Sequence, residues 1–124
     1  MDKTDIERIR RDFEFLSDQV LAIVVYGSRA KDEETERSDI DVCIVAPNRD
    51  TSQIYKETLP LIYDIKIFEL MPLYLKMKVI ENHKIVYTSD LLEFYEYLYF
   101  FRKLWKDQKH RQKITKEEAL HIFG

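Results

Sequence analysis

Two aspartates separated by one residue, Asp39 and Asp41, are the residues in this chain best suited to bind a metal ion. They open the segment 39–45, which alternates and then becomes apolar, as a largely buried strand does. Residues two apart on a strand share a face and lie roughly 6 to 7 Å apart, so both carboxylates can hold one or two hard cations. A structural alternative stays open, in which Asp39 belongs to a turn and Asp41 is a solvated strand residue.

A glycine and a serine, Gly27 and Ser28, follow the apolar, β-branched run 21–26, which predicts a buried strand. In a chain with only two glycines, one at a strand end lets the backbone turn sharply and lets a ligand approach closely. The Ser28 hydroxyl can donate to an anionic oxygen, and a helix beginning at Ser28 would add free amides. The pair indicates a phosphate site, with a plain strand-to-helix turn as the alternative.

A third acid, Asp64, lies in an alternating segment between Pro60 and Pro72 that predicts a strand over 62–69. On that strand Asp64 could project beside the first two aspartates. It would share its face with Lys66, so an ion pair between Asp64 and Lys66 on an open sheet surface is the alternative.

The order of these residues matches a family signature. Gly27 and Ser28, ten intervening residues, then Asp39 and Asp41 give the GSX10DXD pattern, so the chain resembles the minimal nucleotidyltransferase (MNT) family of the DNA polymerase beta superfamily. The resemblance implies the polymerase-beta-like α/β fold, with a mixed β-sheet packed with helices, and ATP as substrate. By position it implies that Asp39, Asp41 and Asp64 are the catalytic residues and hold two Mg²⁺ ions. It also places the triphosphate at Gly27, Ser28 and Arg29.

The resemblance carries an activity as well. Family members of this length and motif are commonly antitoxins of type VII toxin–antitoxin systems, which transfer AMP from ATP to a tyrosine of a HEPN-domain ribonuclease toxin. It therefore implies a protein adenylyltransferase that forms a hetero-oligomer with a HEPN toxin. Two alternatives stay open: a non-catalytic antitoxin that neutralises the toxin by direct contact, and a nucleotidyltransferase that modifies a small molecule such as an antibiotic.

Composition limits the other classes of function. The chain has 124 residues, of which 45% are hydrophobic, and this predicts a single nucleotidyltransferase domain over 1–124. A net charge of −3 disfavours direct nucleic-acid binding. The charged start of the chain and the lack of an apolar run near 18 residues predict a cytoplasmic protein that does not bind a membrane. The one cysteine, Cys43, lies in a predicted core strand, where a buried thiol is expected.

The elements that must position the site follow from periodicity and from turn residues. Helices are predicted over 4–18, 50–59, 72–82 and 90–110, and strands over 20–26, 39–46, 62–69 and 84–87, with a polar loop or short helix over 28–37.

The long C-terminal helix has its own pattern. Its predicted seam against the sheet consists of Leu91, Phe94, Leu98, Phe101 and Trp105. Further apolar side chains lie around its other sides and indicate a partner surface: Leu92, Tyr95, Tyr97, Tyr99 and Phe100. The alternative is that the tyrosine hydroxyls reach water and the rings only cover the helix surface. A basic tail over about 106–124 follows, which is either a solvated helix end or a docking segment.

Overall fold

A four-stranded mixed sheet lies between two layers of helices. The computed structural model describes residues 2–27 and 40–123, with side chains described as far as His110. The elements are α1 (Lys3–Asp12), β1 (Ala22–Tyr26), β2 (Asp41–Val45), α2 (Thr51–Thr58), β3 (Asp64–Ile67), α3 (Leu73–Glu81), β4 (His83–Thr88) and α4 (Leu91–Phe123). The predicted α/β class, with a mixed sheet and a long C-terminal helix, is confirmed.

The sheet order is β3-β2-β1-β4. Strand β1 pairs antiparallel with both β2 and β4, whereas β2 pairs parallel with β3 through the crossover that contains α2. One end of the sheet therefore gathers the carboxyl end of β1 and the amino ends of β2 and β3. These three strand ends carry Gly27, Asp41 and Asp64.

The two faces of the sheet are both buried, as the continuous apolar runs of β1 and β2 require. On one face Ile9 of α1, Phe13 just after α1 and Ile54 of α2 belong to the first core cluster. On the other face α3 and α4 contribute side chains to the second cluster, among them Val79 and Phe94. Because side chains alternate along β2, Val42 belongs to the first cluster and Cys43 to the second.

Several element ends differ from the predicted ones for local reasons. Helix α1 ends at Asp12, and a short 3-10 helix at Glu14–Leu16 tightens the chain so that Phe13 and Leu16 are both buried. Strand β3 is shorter than predicted because the chain turns into a second 3-10 helix at Phe68–Leu70. That turn brings Glu69 to the end of β2, where its carboxylate accepts a hydrogen bond from the Ala46 amide at 2.9 Å.

In the C-terminal helix, two side chains lie on a different side from the one predicted. Phe94 and Leu98 are buried and Phe101 and Trp105 pack against the core, as predicted, but Leu91 is about half exposed. Tyr97, predicted on the outer side, instead packs on Phe68 and donates a hydrogen bond to Glu69 at 2.8 Å. The helix also continues well past its predicted end, to Phe123, through the predicted basic tail.

The predicted partner surface of α4 is otherwise exposed. Four of the five side chains are open to solvent, namely Leu92, Tyr95, Tyr99 and Phe100. In the part of the chain that the structure describes, no helix is long and apolar enough to cross a membrane.

Candidate active site

The glycine at the end of β1 has the conformation that the sequence predicted. Gly27 has φ +77°, a left-handed backbone that side chains other than glycine rarely adopt. A Cβ atom at this position would lie 3.4 Å from Oδ2 of Asp41. The missing side chain therefore leaves space directly beside one of the predicted metal ligands.

A side chain that no sequence pattern indicated supports this turn. Asn82 lies between α3 and β4, and its Nδ2 donates a hydrogen bond to the Gly27 carbonyl oxygen at 3.3 Å. The two residues are 55 positions apart, so only the packing of β4 beside β1 brings them together. Asn82 thus fixes the backbone of Gly27 from the side opposite β2.

Two of the three predicted aspartates lie side by side. Asp41 and Asp64 are directly paired in the parallel register of β2 and β3, so their Cα atoms are about 5 Å apart and their side chains share a face. The Asp64 amide donates to the Ile40 carbonyl oxygen at 3.0 Å, which fixes this register at the strand ends. The Asp64 side chain is about half exposed, so it can reach a ligand from solvent.

The remaining predicted residues, Ser28, Arg29 and Asp39, lie outside the described residues. Within the described ranges, no cluster of three or more histidine, cysteine, aspartate or glutamate side chains could hold a metal ion. The described part of the site therefore consists of two carboxylates and the glycine turn.

A lysine and a tyrosine complete the described surroundings. Lys66 Nζ lies 3.4 Å from Asp64 Oδ2, so the predicted alternative of an ion pair between them is present in this structure. Burial raises the pKa of the Tyr26 hydroxyl; nearby Asp41 adds to the rise and Lys66 opposes it. Partial burial by itself lowers the pKa of Lys66, but attraction to Tyr26 and Asp64 more than offsets this and raises it. Lys66 is therefore a fixed cation between Tyr26 and Asp64.

Cys43 lies two residues after Asp41, on the same face of β2, and is fully buried, as predicted. Burial raises its pKa far above the ordinary value, and Glu69 adds to this rise. The thiol therefore stays protonated and serves as a core side chain.

The donor set fits a hard divalent cation. Carboxylate oxygens are the ligands that Mg²⁺ prefers, and the paired Asp41 and Asp64 present them from one face of the sheet. The turn at Gly27 adjoins them, where a phosphate could approach a cation held by Asp41 with no side chain at position 27 in the way. This fold and this donor set are those expected of an enzyme of the nucleotidyltransferase class.

Comparison with known proteins identifies the family. The chain belongs to the nucleotidyltransferase domain family, whose model matches residues 6–122. It is 50% identical over 96 residues to a protein of Methanocaldococcus jannaschii that is named as a candidate protein adenylyltransferase, and the match covers 75% of each chain. The chain is a nucleotidyltransferase, as the sequence predicted.

Solved toxin–antitoxin structures share the fold. One is the complex of a Shewanella oneidensis MNT antitoxin with a tri-AMPylated HEPN toxin, with 13% identity, a TM-score of 0.65, and 97% of this chain and 99% of that chain covered. Another is a toxin–antitoxin structure with AMP-PNP, with 13% identity, a TM-score of 0.67, and 94% of this chain and 98% of that chain covered. The predicted resemblance to MNT antitoxins is thereby confirmed at the level of the fold.

Proposed function

We propose that this protein transfers AMP from ATP to a hydroxyl group of a partner protein, a tyrosine of a HEPN-domain toxin, and so acts as an antitoxin. The observation that carries the proposal is the pairing of Asp41 with Asp64 beside the open turn at Gly27. The relative named as a protein adenylyltransferase supports the type of acceptor. The shared fold of the MNT antitoxin crystallised with an AMPylated HEPN toxin supports the partner.

Residues of this chain would have separate roles in the transfer. Gly27, with Ser28 and Arg29, would bind the triphosphate, and Asp39, Asp41 and Asp64 would hold Mg²⁺. Bound Mg²⁺, as one or two ions, would neutralise the charge that develops on the phosphate oxygens. Nucleotidyl transfer needs few other contributions from the protein. The domain therefore has mainly to align the reactants and to provide charge at the phosphates.

The bond changes follow from this arrangement. The acceptor oxygen forms a bond to the α-phosphorus, and the bond from that phosphorus to the bridging oxygen of the β-phosphate breaks. Pyrophosphate leaves with the electron pair. Asp64, at the edge of the site, would accept the hydroxyl proton and pass it to solvent, since its side chain is about half exposed. A reaction that draws on ATP is consistent with the cytoplasmic location that we propose.

The direct test uses ATP labelled at the α-phosphate. We expect the wild-type protein, with Mg²⁺, to place this label on the HEPN-domain product of a neighbouring gene, whereas ATP labelled at the γ-phosphate leaves that protein unlabelled. Mass spectrometry would locate the AMP on a tyrosine. Label from the γ-phosphate would instead identify a kinase and contradict the proposal.

A second candidate function has its own observation. The exposed apolar side chains of α4, among them Leu92, Tyr99 and Phe100, could neutralise a toxin by contact alone. The Asp39→Ala, Asp41→Ala double variant separates the two functions. Full neutralisation of the toxin by this variant, without label, would favour the binding module over the enzyme.

The ion pair of Lys66 leads to a prediction about the metal. Replacing Lys66 with methionine should tighten binding of Mn²⁺, a probe for Mg²⁺, by up to about fivefold, because an exposed ion pair contributes about 0.2–1 kcal/mol. Titration of the free protein followed by electron paramagnetic resonance measures this affinity. Lys103→Met, which removes an exposed lysine of α4, is the matched control. Equal affinity in both variants would argue that Asp64 is not a ligand.

A further inference from the structure

Strand β3 has an open side that begins at the candidate site. It is the last strand of the sheet, and no strand within the described ranges pairs with its outer side. The Asp64 amide faces β2, where it donates to Ile40. Because the direction of the backbone groups alternates along a strand, the amide and carbonyl of Ile65 face outward. Such groups can pair with another extended chain.

An apolar groove follows this open side. Its volume is about 370 Å³, and it extends from Tyr55 of α2, around the edge of β3, to the segment that leads into α3. Tyr55 is 46% exposed and Leu70 is 67% exposed. Among the described residues of its lining, the charged ones are Asp64 and Lys66, and these two pair with each other. The described residues that line it are Tyr55, Asp64, Ile65, Lys66, Ile67, Leu70, Met71, Pro72 and Leu75.

The geometry of the transfer decides which reactant approaches from this side. Attacking and leaving oxygens lie roughly in line on opposite sides of the phosphorus. Gly27, proposed to bind the triphosphate, ends β1, and β1 lies on the other side of β2 from β3. The pyrophosphate would therefore leave on the β1 side of the site. The acceptor would approach on the β3 side, where Asp64 lies.

We propose that an extended, apolar segment of the acceptor protein adds to the outer side of β3 and presents its hydroxyl group to Asp64. Backbone hydrogen bonds to Ile65 would supply affinity, and the groove would bind the apolar side chains beside the modified residue, as in other cases of strand addition. This inference rests on the proposed transfer to a protein. It explains how a domain of this size recognises the chain around the modified residue as well as the hydroxyl group itself.

A charge placed in the groove tests the inference. Leu70→Glu should raise the KM for the acceptor protein at least about tenfold, because a carboxylate would be buried against apolar side chains. The KM for ATP and the kcat should stay unchanged, since Leu70 is outside the metal site. The matched control is Phe15→Glu in the short 3-10 helix after α1, where the phenylalanine is 48% exposed and the expected change in KM is below about threefold.

Cross-linking provides a readout that does not depend on activity. With p-benzoylphenylalanine in place of Leu70, we expect cross-links to the acceptor protein within a few residues of the modified hydroxyl. The same replacement of Phe15 should give none there. Cross-links from position 70 to a second copy of this chain, or to adenine, would overturn the inference.

The kinetic outcomes distinguish this inference from the proposed function. If the wild type transfers AMP and Leu70→Glu has the same KM for the acceptor as the wild type, the inference about the groove is wrong. The proposed function is then unaffected. An effect from Phe15→Glu as large as that from Leu70→Glu would also overturn the inference. Absence of any transfer by the wild type would overturn both proposals.

Discussion

Replacing Asp41 with asparagine is expected to lower the rate of AMP transfer at least about a thousandfold and to leave the fold intact. The substitution keeps the shape of the side chain but removes the charge of a proposed metal ligand that lies beside both Gly27 and Asp64. Stabilisation by metal ions contributes several kcal/mol, and each 1.36 kcal/mol changes a rate tenfold. Single-turnover transfer from α-labelled ATP measures the rate, and circular dichroism checks the fold.

The control for this variant is Glu96→Gln, which removes the same charge from the exposed surface of α4. Its rate should equal that of the wild type, because Glu96 lies outside the candidate site. A rate for Asp41→Asn within about tenfold of the wild type would contradict the role given to Asp41, since only about 1.4 kcal/mol would then be lost.

The largest effect on stability is expected from Phe94→Ala, which should lower the free energy of unfolding by about 3–5 kcal/mol. Phe94 is fully buried, and its ring packs edge-on against His83 and stacks on Tyr95. Phe94 belongs to the second core cluster, so truncation would leave a cavity there. Urea denaturation followed by circular dichroism measures the difference.

Phe100→Ala provides the comparison on the same helix. Phe100 is 59% exposed and contacts mainly the ring of Phe101, so the same truncation should cost less than about 1 kcal/mol. Similar losses in both variants would show that the two faces of α4 are buried to the same extent in solution. That result would contradict the packing described above.

The fold was largely predictable because its strands are short apolar runs with clear ends. The described residues of these two runs, 21–26 and 40–45, are almost all buried, and β1 and β2 form there. Element ends were less predictable where hydrogen bonds from distant residues decide them. Strand β3, for example, stops where Glu69 turns to bind the Ala46 amide, and the sequence gives no sign of that bond.

The candidate site could be predicted in its residue types and in the place of Asp64 beside Asp41, but not in the contacts that fix these positions. A glycine at a strand end and an acid in an alternating strand are local patterns. From these patterns the sequence predicts that Gly27 ends a strand and that Asp64 lies on one. The register that places Asp64 beside Asp41 depends on the crossover through α2, and the contact of Asn82 with Gly27 depends on β4. Such contacts join distant parts of the chain, so periodicity alone could not predict them.

Strand β1 remains an open edge during synthesis until its last partner, β4, has been made. Its first partner, β2, follows within about 20 residues, but β4 begins at His83 and pairs with Tyr26. Pairings between distant segments form slowly, and an unpaired apolar edge favours aggregation. The nascent chain can therefore bring Gly27 and Asp41 together early, while protection of this central strand waits for nearly three quarters of the chain to leave the ribosome.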